Sequence, residues 1–399
     1  MKTELKKEFK LLKNFYIFYF LWGLASFLTA YIIIYFYSIG LSFSKISLLL
    51  AIALVAPIIF EVPTGAIADH YGRRISIVIG TLSAGTILLI IPFIKNFWTL
   101  AILFFCNMSL STLVSGSDSA WMVDFLKSKR KQNLIHTAFA RVATFGATGA
   151  LISLILASLI VKYYNMDYLW FAQGGIVLTV GFFTLFFGDK EKIIHKGNFK
   201  KAIKNTFGFA KQGFKLIFVK QALFFFVLAS FFTAFFSIGG LVWQPLFIDL
   251  GIKLEQLGII FAGVFIVGIF APMASTKLLK LVKKEKMALI LQDLVTGATF
   301  IIISLVSSPL IAVLLFYFGT FGIGVGSPIR VAFFQKRIPS KIRATVTSVK
   351  HLISASGGII AVLLAGYIVD NFGLRVALAF GGLAAIPTVI CYLMIKDEK

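Results

Sequence analysis

Long apolar runs separated by short polar segments dominate the chain. A run of about 20 residues is long enough to cross the hydrocarbon core of a bilayer as an α-helix. Twelve such runs, numbered here as spans 1 to 12, lie at residues 14–37, 45–66, 75–94, 98–122, 138–161, 169–187, 221–248, 257–276, 287–306, 310–334, 346–368 and 375–395. The pattern therefore predicts an all-α polytopic membrane protein with twelve transmembrane helices.

The longest polar segment, residues 188–220, divides these spans six and six. It carries nine lysines interleaved with phenylalanines. This spacing favours an amphipathic helix on the inner membrane surface, with a solvated basic linker as the alternative. We predict an N-terminal six-helix half at 1–187, a basic cytoplasmic linker at 188–220 and a C-terminal six-helix half at 221–399.

Composition and charge placement decide which class of protein this is. A hydrophobic content of 59% with 14% charged residues excludes a soluble globular domain. The net charge of +23 is explained by the orientation of the chain in the membrane. If the N-terminus is cytoplasmic, nearly all lysines and arginines lie at the inner face, and the outer loops hold only Lys45, Lys95, Lys162, Lys253 and Arg375. We therefore expect a multi-pass protein of the cell membrane with both termini cytoplasmic. The basic residues would contact anionic headgroups on the inner face, and no nucleic acid is expected as a partner.

A weak internal repeat relates the two predicted halves. A shift of 212 residues aligns Gly72–Gly85 with Lys284–Gly297, and shifts of 210 and 209 align Gly116 with Gly326 and Arg141 with Lys350. Near-constant offsets on both sides of the central linker predict two parallel six-helix repeats with the transport path between them.

The segment between spans 2 and 3 carries the most specific motif, Gly65-x-x-x-Asp69-x-x-Gly72-Arg73-Arg74. It resembles the loop signature called motif A in the major facilitator superfamily of transporters. With the twelve spans, the repeat and the basic linker, the resemblance covers essentially the whole chain. It implies that Arg73 bridges to Asp124 at the end of span 4, and that Asp69 caps or pairs with the start of span 11 in the outward-open state.

Other ionisable residues lie near the predicted inner ends of the spans. Buried charges in a membrane are costly and are normally paired or functional. We interpret them as an inner gate or as proton-coupling groups, with ordinary interfacial charges as the alternative. The candidates are Glu61, Asp118, Arg141, Asp293, Lys350 and His351, with Arg330 at the same depth.

The centres of the spans hold no Asp, Glu, Lys, Arg or His, so the substrate candidates there are aromatic or uncharged and polar. Such a lining favours a neutral, amphipathic or aromatic ligand. The candidates are Trp22, Tyr31, Asn107, Thr233, Trp243, Gln244, Tyr317 and Thr320.

Two features depart from the drug/proton antiporter branch of the superfamily. Thr112 stands where that branch has an arginine, and Gly146-Ala-Thr-Gly149 has no proline. We still expect a secondary active transporter that moves a small organic, amphipathic or drug-like molecule by alternating access, by efflux and with proton coupling. Uptake or facilitated diffusion of a neutral nutrient, such as a sugar or nucleoside, is the alternative.

An enzyme or a non-transporting receptor is the least favoured class. The spans contain no nucleophile-base pair, phosphate loop or metal-ligand cluster. Cys106 and Cys391 lie within apolar spans and indicate no disulfide. We therefore expect no enzymatic activity, no cofactor and no metal, and a chain that acts as a monomer.

Overall fold

The computed structural model describes residues 2–187, 213–339 and 342–396, and every regular element in these ranges is helical. Before the linker lie α1 (Lys2–Leu24), α2 (Ile32–Ser38), α3 (Phe43–Tyr71), α4 (Arg73–Ile90), α5 (Phe97–Ser111), α6 (Ser117–Ser128), α7 (Ile135–Tyr163) and α8 (Asp167–Leu185). After it lie α9 (Gln221–Thr233), α10 (Ile238–Asp249), α11 (Gln256–Phe270), α12 (Ser275–Val282), α13 (Glu285–Leu305), α14 (Pro309–Lys336), α15 (Arg343–Phe372), α16 (Leu374–Leu383) and α17 (Ala385–Met394). The all-α prediction is confirmed.

Ten stretches within the described ranges are helical, long and apolar enough to cross a membrane. They correspond to the predicted spans except 1 and 4, each of which is interrupted within its apolar run. Most of the predicted linker helix lies outside the described residues, although residues 213–219 are helical. Many large apolar side chains remain exposed along the helices, including Ile102, Leu305 and Leu314. Such surfaces suit contact with lipid.

The break in span 1 covers residues 25–31, between α1 and α2. Backbone amides that lose their helical partners must find others inside a bilayer. Two glutamine side chains supply them: Gln173 Oε1 accepts from the Leu28 amide at 3.0 Å, and Gln244 Oε1 accepts from the Ile33 amide at 3.1 Å. Both flanks of the break are thus held by a side chain from another helix.

The break in span 4 covers residues 112–116, between α5 and α6. Gly116 has φ +76°, a conformation that glycine adopts without steric cost. The Thr64 hydroxyl lies 3.0 Å from the Thr112 hydroxyl, and the Ser76 hydroxyl donates to the Leu113 carbonyl at 2.9 Å. Neither break contains a proline or a charged residue, and the few serines and threonines there did not distinguish these segments from the rest of their spans.

Contacts divide the described chain into two compact units. The first comprises residues 2–32, 52–187 and 254–262, and the second comprises 33–51, 213–253, 263–339 and 342–396. Each has its own apolar core, around Phe15, Trp121 and Met122 in the first and around Phe226, Phe333 and Tyr392 in the second. The predicted boundaries at 187 and 221 stay a prediction, because residues 33–51 belong to the second unit and residues 254–262 belong to the first.

The same helix pairings occur inside each unit. In the first, α1 packs on α7 and α4 packs on α8; in the second, α9 packs on α15 and α13 packs on α16. Glycines allow the close approach of the backbones at related positions. A Cβ on Gly149 would lie 2.2 Å from the Phe20 carbonyl oxygen, and one on Gly357 would lie 2.5 Å from that of Phe231. The packing therefore recurs at nearly the offset that the sequence repeat suggested.

Candidate functional site

A cavity of about 270 Å³ lies within the second unit, between α9, α13, α14 and α15. Phe236 and Ile323 form apolar parts of its wall. Its polar lining consists of Ser230, Thr233, Gln292, Arg330, Lys350 and Ser354. The cavity therefore offers an apolar surface and a charged surface to the same occupant, as sites for amphipathic molecules do.

The charged wall is built around Arg330, whose guanidinium binds two residues of α13. Its Nη2 donates to the two carboxylate oxygens of Asp293 at 2.7 and 3.0 Å and to Gln292 Oε1 at 2.8 Å. Asp293 is fully buried, so its charge is balanced by Arg330 and not by water. Arg330 Nε is buried without a hydrogen-bond partner in the part of the chain that the structure describes.

Gln292 is held in place by neighbours on two helices. Its Nε2 donates to the Thr296 hydroxyl at 3.0 Å, one turn further along α13. On α14, a Cβ at Gly326 would lie 2.2 Å from Gln292 Oε1, so glycine leaves the space that the amide fills. These contacts fix the amide oxygen that Arg330 binds.

Lys350 contributes the second cation from α15. Its ammonium lies 6.0 Å from the centroid of the Phe334 ring, and within the described ranges it forms no ion pair. On the same helix, the Ser354 hydroxyl donates to the Ser230 carbonyl at 3.2 Å. This bond joins α15 to α9 beside the cavity.

The predicted motif residues meet at the junction of α3, α4 and α6. Gly72 has φ +101° and separates α3 from α4. Arg73 forms an ion pair with Asp124 of α6, and its Nη2 lies 3.6 Å from the mostly exposed carboxylate of Asp69. Arg74 Nε donates to the Thr184 carbonyl at 3.1 Å, near the C-terminal end of α8. Gly65 is exposed on α3.

The second unit repeats these contacts at an offset of 212 residues, with the polarity of the ion pair reversed. Glu285, which corresponds to Arg73, binds Lys336, which corresponds to Asp124, at 2.5 Å. Lys286, which corresponds to Arg74, donates to the Ile395 carbonyl at 2.6 Å and to the Leu393 carbonyl at 3.2 Å. In both units a cation therefore binds carbonyls at a helix C-terminus, where the helix dipole favours positive charge.

Arg141 has a partner that the prediction from sequence left out. Its Nη1 lies 3.1 Å from Glu8 Oε1, and the Tyr16 hydroxyl donates to the same oxygen at 2.8 Å. The guanidinium carbon lies 4.8 Å from the centroid of the Phe9 ring. Glu8 is 7% exposed, which a glutamate in a lysine-rich segment before span 1 gave no reason to expect.

The other charged candidates, Asp118, Glu61 and His351, are not among the residues that line the cavity. Asp118 is half-buried and interacts with the Tyr19 hydroxyl. Glu61 and His351 are exposed. Among the described residues, Arg73, Arg141 and Arg330 each form a buried or half-buried ion pair near the predicted inner ends of the spans.

Several of the predicted substrate residues form contacts that join one helix to another. The Asn107 amide donates to the Ala84 carbonyl at 3.1 Å. The Tyr31 hydroxyl accepts from the Gly258 amide at 3.0 Å and lies 3.2 Å from the Ser158 hydroxyl. Trp243 is buried and stacks on Phe316 at a centroid distance of 5.3 Å.

Thr233 is the one residue of that predicted set that lines the cavity described above. Gln244 is buried and serves the break in span 1. Trp22, Tyr317 and Thr320 are half-buried on α1 and α14. The predicted substrate set left out Ser230, Gln292 and Ser354, which also line the cavity. The available signal was their polarity within apolar spans.

Comparison with known proteins decides the family. The model of the Major Facilitator Superfamily matches residues 15–361. The chain belongs to the Major Facilitator Superfamily. The resemblance stated from motif A is therefore confirmed, and the twelve predicted spans agree with the fold of this superfamily.

Relatives and solved structures extend the comparison over nearly the whole chain. An uncharacterized MFS-type transporter of Bacillus subtilis (strain 168), YxaM, is 28% identical over 380 residues, covering 92% of this chain and 91% of the relative. The crystal structure of the nucleoside transporter NupG has a TM-score of 0.78 at 14% identity, covering 97% of this chain and 98% of that one. That of the POT family transporter PepTSo has a TM-score of 0.73 at 12% identity, with 97% of each chain covered. The protein is a transporter of the MFS kind, and the solved structures show its fold.

Proposed function

We propose that this MFS transporter exports a small amphipathic organic molecule, and that the cavity of the second unit contacts the cargo. The observation that carries the proposal is the lining of that cavity, which combines Phe236 and Ile323 with polar side chains and Arg330. An apolar wall with a few fixed polar groups is the usual design of a small-molecule site. The chain would expose this site alternately to the two sides of the membrane.

Direction and substrate class are tested together in a deletion strain of the source organism. Export of toxic amphipathic compounds predicts that deletion increases sensitivity to some of them, and that the wild-type gene restores resistance. Unchanged sensitivity, together with lost growth on one carbon source, would contradict export and favour uptake.

Uptake of a neutral nutrient is the second candidate. Three hydroxyl side chains and one amide line the cavity, at Ser230, Thr233, Ser354 and Gln292, and such groups bind sugar or nucleoside hydroxyls. The likeness to NupG concerns the fold alone. A ligand-stabilisation screen on purified protein with nucleosides, sugars and amphipathic compounds separates the two candidates.

We also propose proton coupling through one of three carboxyl groups. Glu61 is exposed, Asp118 is half-buried beside Tyr19, and Asp293 is fully buried next to the cavity. Of these three carboxyl groups, Asp293 is the one that contacts a cavity-lining residue, Arg330, which favours Asp293. Flux in proteoliposomes that ignores a pH gradient, with Glu61→Gln, Asp118→Asn and Asp293→Asn each without effect on folded protein, would contradict coupling.

The proposed setting is the cell membrane, with both termini and the linker cytoplasmic and two six-helix halves on either side of the linker. The distribution of lysine and arginine among the loops supports the orientation. The repeated contacts at an offset of 212 residues support the two halves. We propose that the chain transports as a monomer, contacts anionic lipid headgroups at the inner face and catalyses no reaction. Reporter fusions after residues 96, 187 and 396 test the orientation.

A further inference from the structure

We propose that the cavity of the second unit binds an anionic group, so that the cargo is an amphipathic organic anion carrying a carboxylate or a similar acid. This inference rests on the proposed function, because it assigns a charge to the transported molecule. It revises the expectation of a neutral ligand, which came from the uncharged centres of the spans. Three features of the cavity carry it.

The first feature is the charge balance. Arg330 and Lys350 line the cavity, and Asp293 balances only one of them by binding Arg330. Among the described residues, Lys350 has no carboxylate within ion-pair distance. A cation held in a cavity between helices is costly unless an anion accompanies it. The cavity therefore carries one positive charge that an anionic ligand would balance.

The second feature is the set of hydrogen-bond donors. Lys350 offers three ammonium N–H groups. Arg330 Nε is buried without a partner within the described ranges, although Nη2 of the same guanidinium is saturated by Asp293 and Gln292. The Thr233 hydroxyl already donates to the Ala229 carbonyl at 2.6 Å. Lys350 and Arg330 Nε are the cationic donors that remain, and carboxylates are the groups such donors bind best.

The third feature is the comparison with the other unit. Arg141 corresponds to Lys350 in the sequence repeat, and Arg141 is neutralised by Glu8 at 3.1 Å. At the same offset of 209 residues, the position that corresponds to Glu8 holds Ile217, which cannot neutralise a cation. Both units thus have a cation at this position, but among the described residues only in the first unit does a carboxylate of the protein, that of Glu8, pair with it. In the second unit the ligand would take the place of that partner.

Binding of three naphthalene derivatives with different charges tests the proposal. Purified protein in nanodiscs of zwitterionic lipid is titrated with 1-naphthoate, 1-naphthamide and 1-naphthylmethylammonium, and empty nanodiscs correct for partition into lipid. We expect 1-naphthoate to bind at least about tenfold more tightly than the other two. Equal affinities, or no binding of 1-naphthoate, would overturn the proposal.

Variants of Lys350 locate the preference. Lys350→Gln should abolish the preference for 1-naphthoate, and Lys350→Arg should keep it. Lys277→Gln, which removes an exposed lysine outside the cavity, is the matched control and should behave as the wild type. If Lys350→Gln instead changed only the stabilisation by phosphatidylglycerol and left 1-naphthoate binding intact, the lysine would bind lipid headgroups and the proposal would be wrong.

A second measurement reads the charge of the cavity without a bound ligand. Ser354→Cys, combined with Cys106→Ala and Cys391→Ala, introduces a single thiol that reacts with anionic sulfonatoethyl or cationic trimethylammonioethyl methanethiosulfonate. The ratio of the two rates should favour the anionic reagent and should fall at least about threefold in Lys350→Gln. An unchanged ratio would overturn the proposal. Neither measurement depends on transport, so the two experiments could confirm the anion site even if export were disproved.

Discussion

At the scale of single residues, the buried pair of Arg330 and Asp293 has the largest energetic consequence. Asp293 is fully buried and Arg330 Nη2 contacts both of its carboxylate oxygens. Removing both charges from water is costly, and their mutual attraction offsets that cost only while both are present. The pair therefore makes each partner intolerant of change, and it fixes the wall of the cavity.

Replacing Asp293 by asparagine should destabilise the protein strongly. The change leaves the Arg330 charge without its counter-ion, at a cost of about 3–5 kcal/mol. The melting temperature of purified protein in detergent should fall by many degrees, whereas Asp249→Asn, at an exposed position, should leave it nearly unchanged. Equal melting temperatures for the two variants would contradict the role given to the pair.

At the scale of elements, helix ends are tied by side chains from neighbouring helices. Arg73 and Asp124 join α4 to α6, and Glu285 and Lys336 join α13 to α14. The reversed polarity shows that an ion pair of either polarity can join the helices at this position. The two ion pairs differ in burial: the side chains of Arg73 and Asp124 are 21% and 30% exposed, whereas that of Lys336 is 65% exposed.

Neutralising the corresponding positions of the two pairs should therefore have unequal effects. Asp124→Asn leaves a partly buried Arg73 without this partner and should lower the melting temperature clearly. Lys336→Gln removes an exposed partner and should cost no more than about 1 kcal/mol. Thermal unfolding of both variants, side by side, checks the order. A larger loss for Lys336→Gln would show that exposure does not govern these pairs.

Much at this scale could be predicted from the sequence, and the limits have physical causes. Runs of apolar residues determine which segments cross a membrane, so the spans and the motif turn at Gly72 were predictable. The breaks at 25–31 and 112–116 were not, because side chains distant in sequence, such as Gln173 and Gln244, satisfy their backbone groups. The cavity was only partly predictable for a similar reason. Its polar residues come from four helices, and the depth of a residue within its span does not show which faces of the helices pack together.

At the scale of the whole molecule, alternating access requires some helices to pack closely in one state of a transporter and to separate in another. One very close approach lies within the second unit, between α3 and α15. A Cβ on Gly366 would lie 2.0 Å from the Ser47 hydroxyl oxygen and 2.5 Å from the Phe43 carbonyl oxygen. Nearby, the Asp370 carboxylate accepts from the amides of Phe43 and Ser44 at 3.0 and 2.8 Å. These contacts hold the start of α3 close to α15 in this conformation.

Adding one methyl group at Gly366 should disfavour this conformation. Gly366→Ala places a Cβ against backbone and should cost about 1–3 kcal/mol of stability in it. Gly358→Ala lies on the same helix, meets nothing within 4 Å and is the matched control. The readout is alkylation of Ser44→Cys, which should become faster in Gly366→Ala and stay unchanged in Gly358→Ala. The same alkylation rate in both variants would show that the close approach does not hold the two helices together.

The central claim, that this MFS protein transports its cargo through the cavity of the second unit, is tested most directly by flux in proteoliposomes. The cargo is the compound that most stabilises the purified wild type, and two variants of one position are compared. Thr233→Phe places a bulky ring in the cavity of about 270 Å³ and should abolish both binding and flux, whereas Thr233→Val, of nearly the same shape, should keep both. Undiminished flux through a folded Thr233→Phe variant would contradict the account.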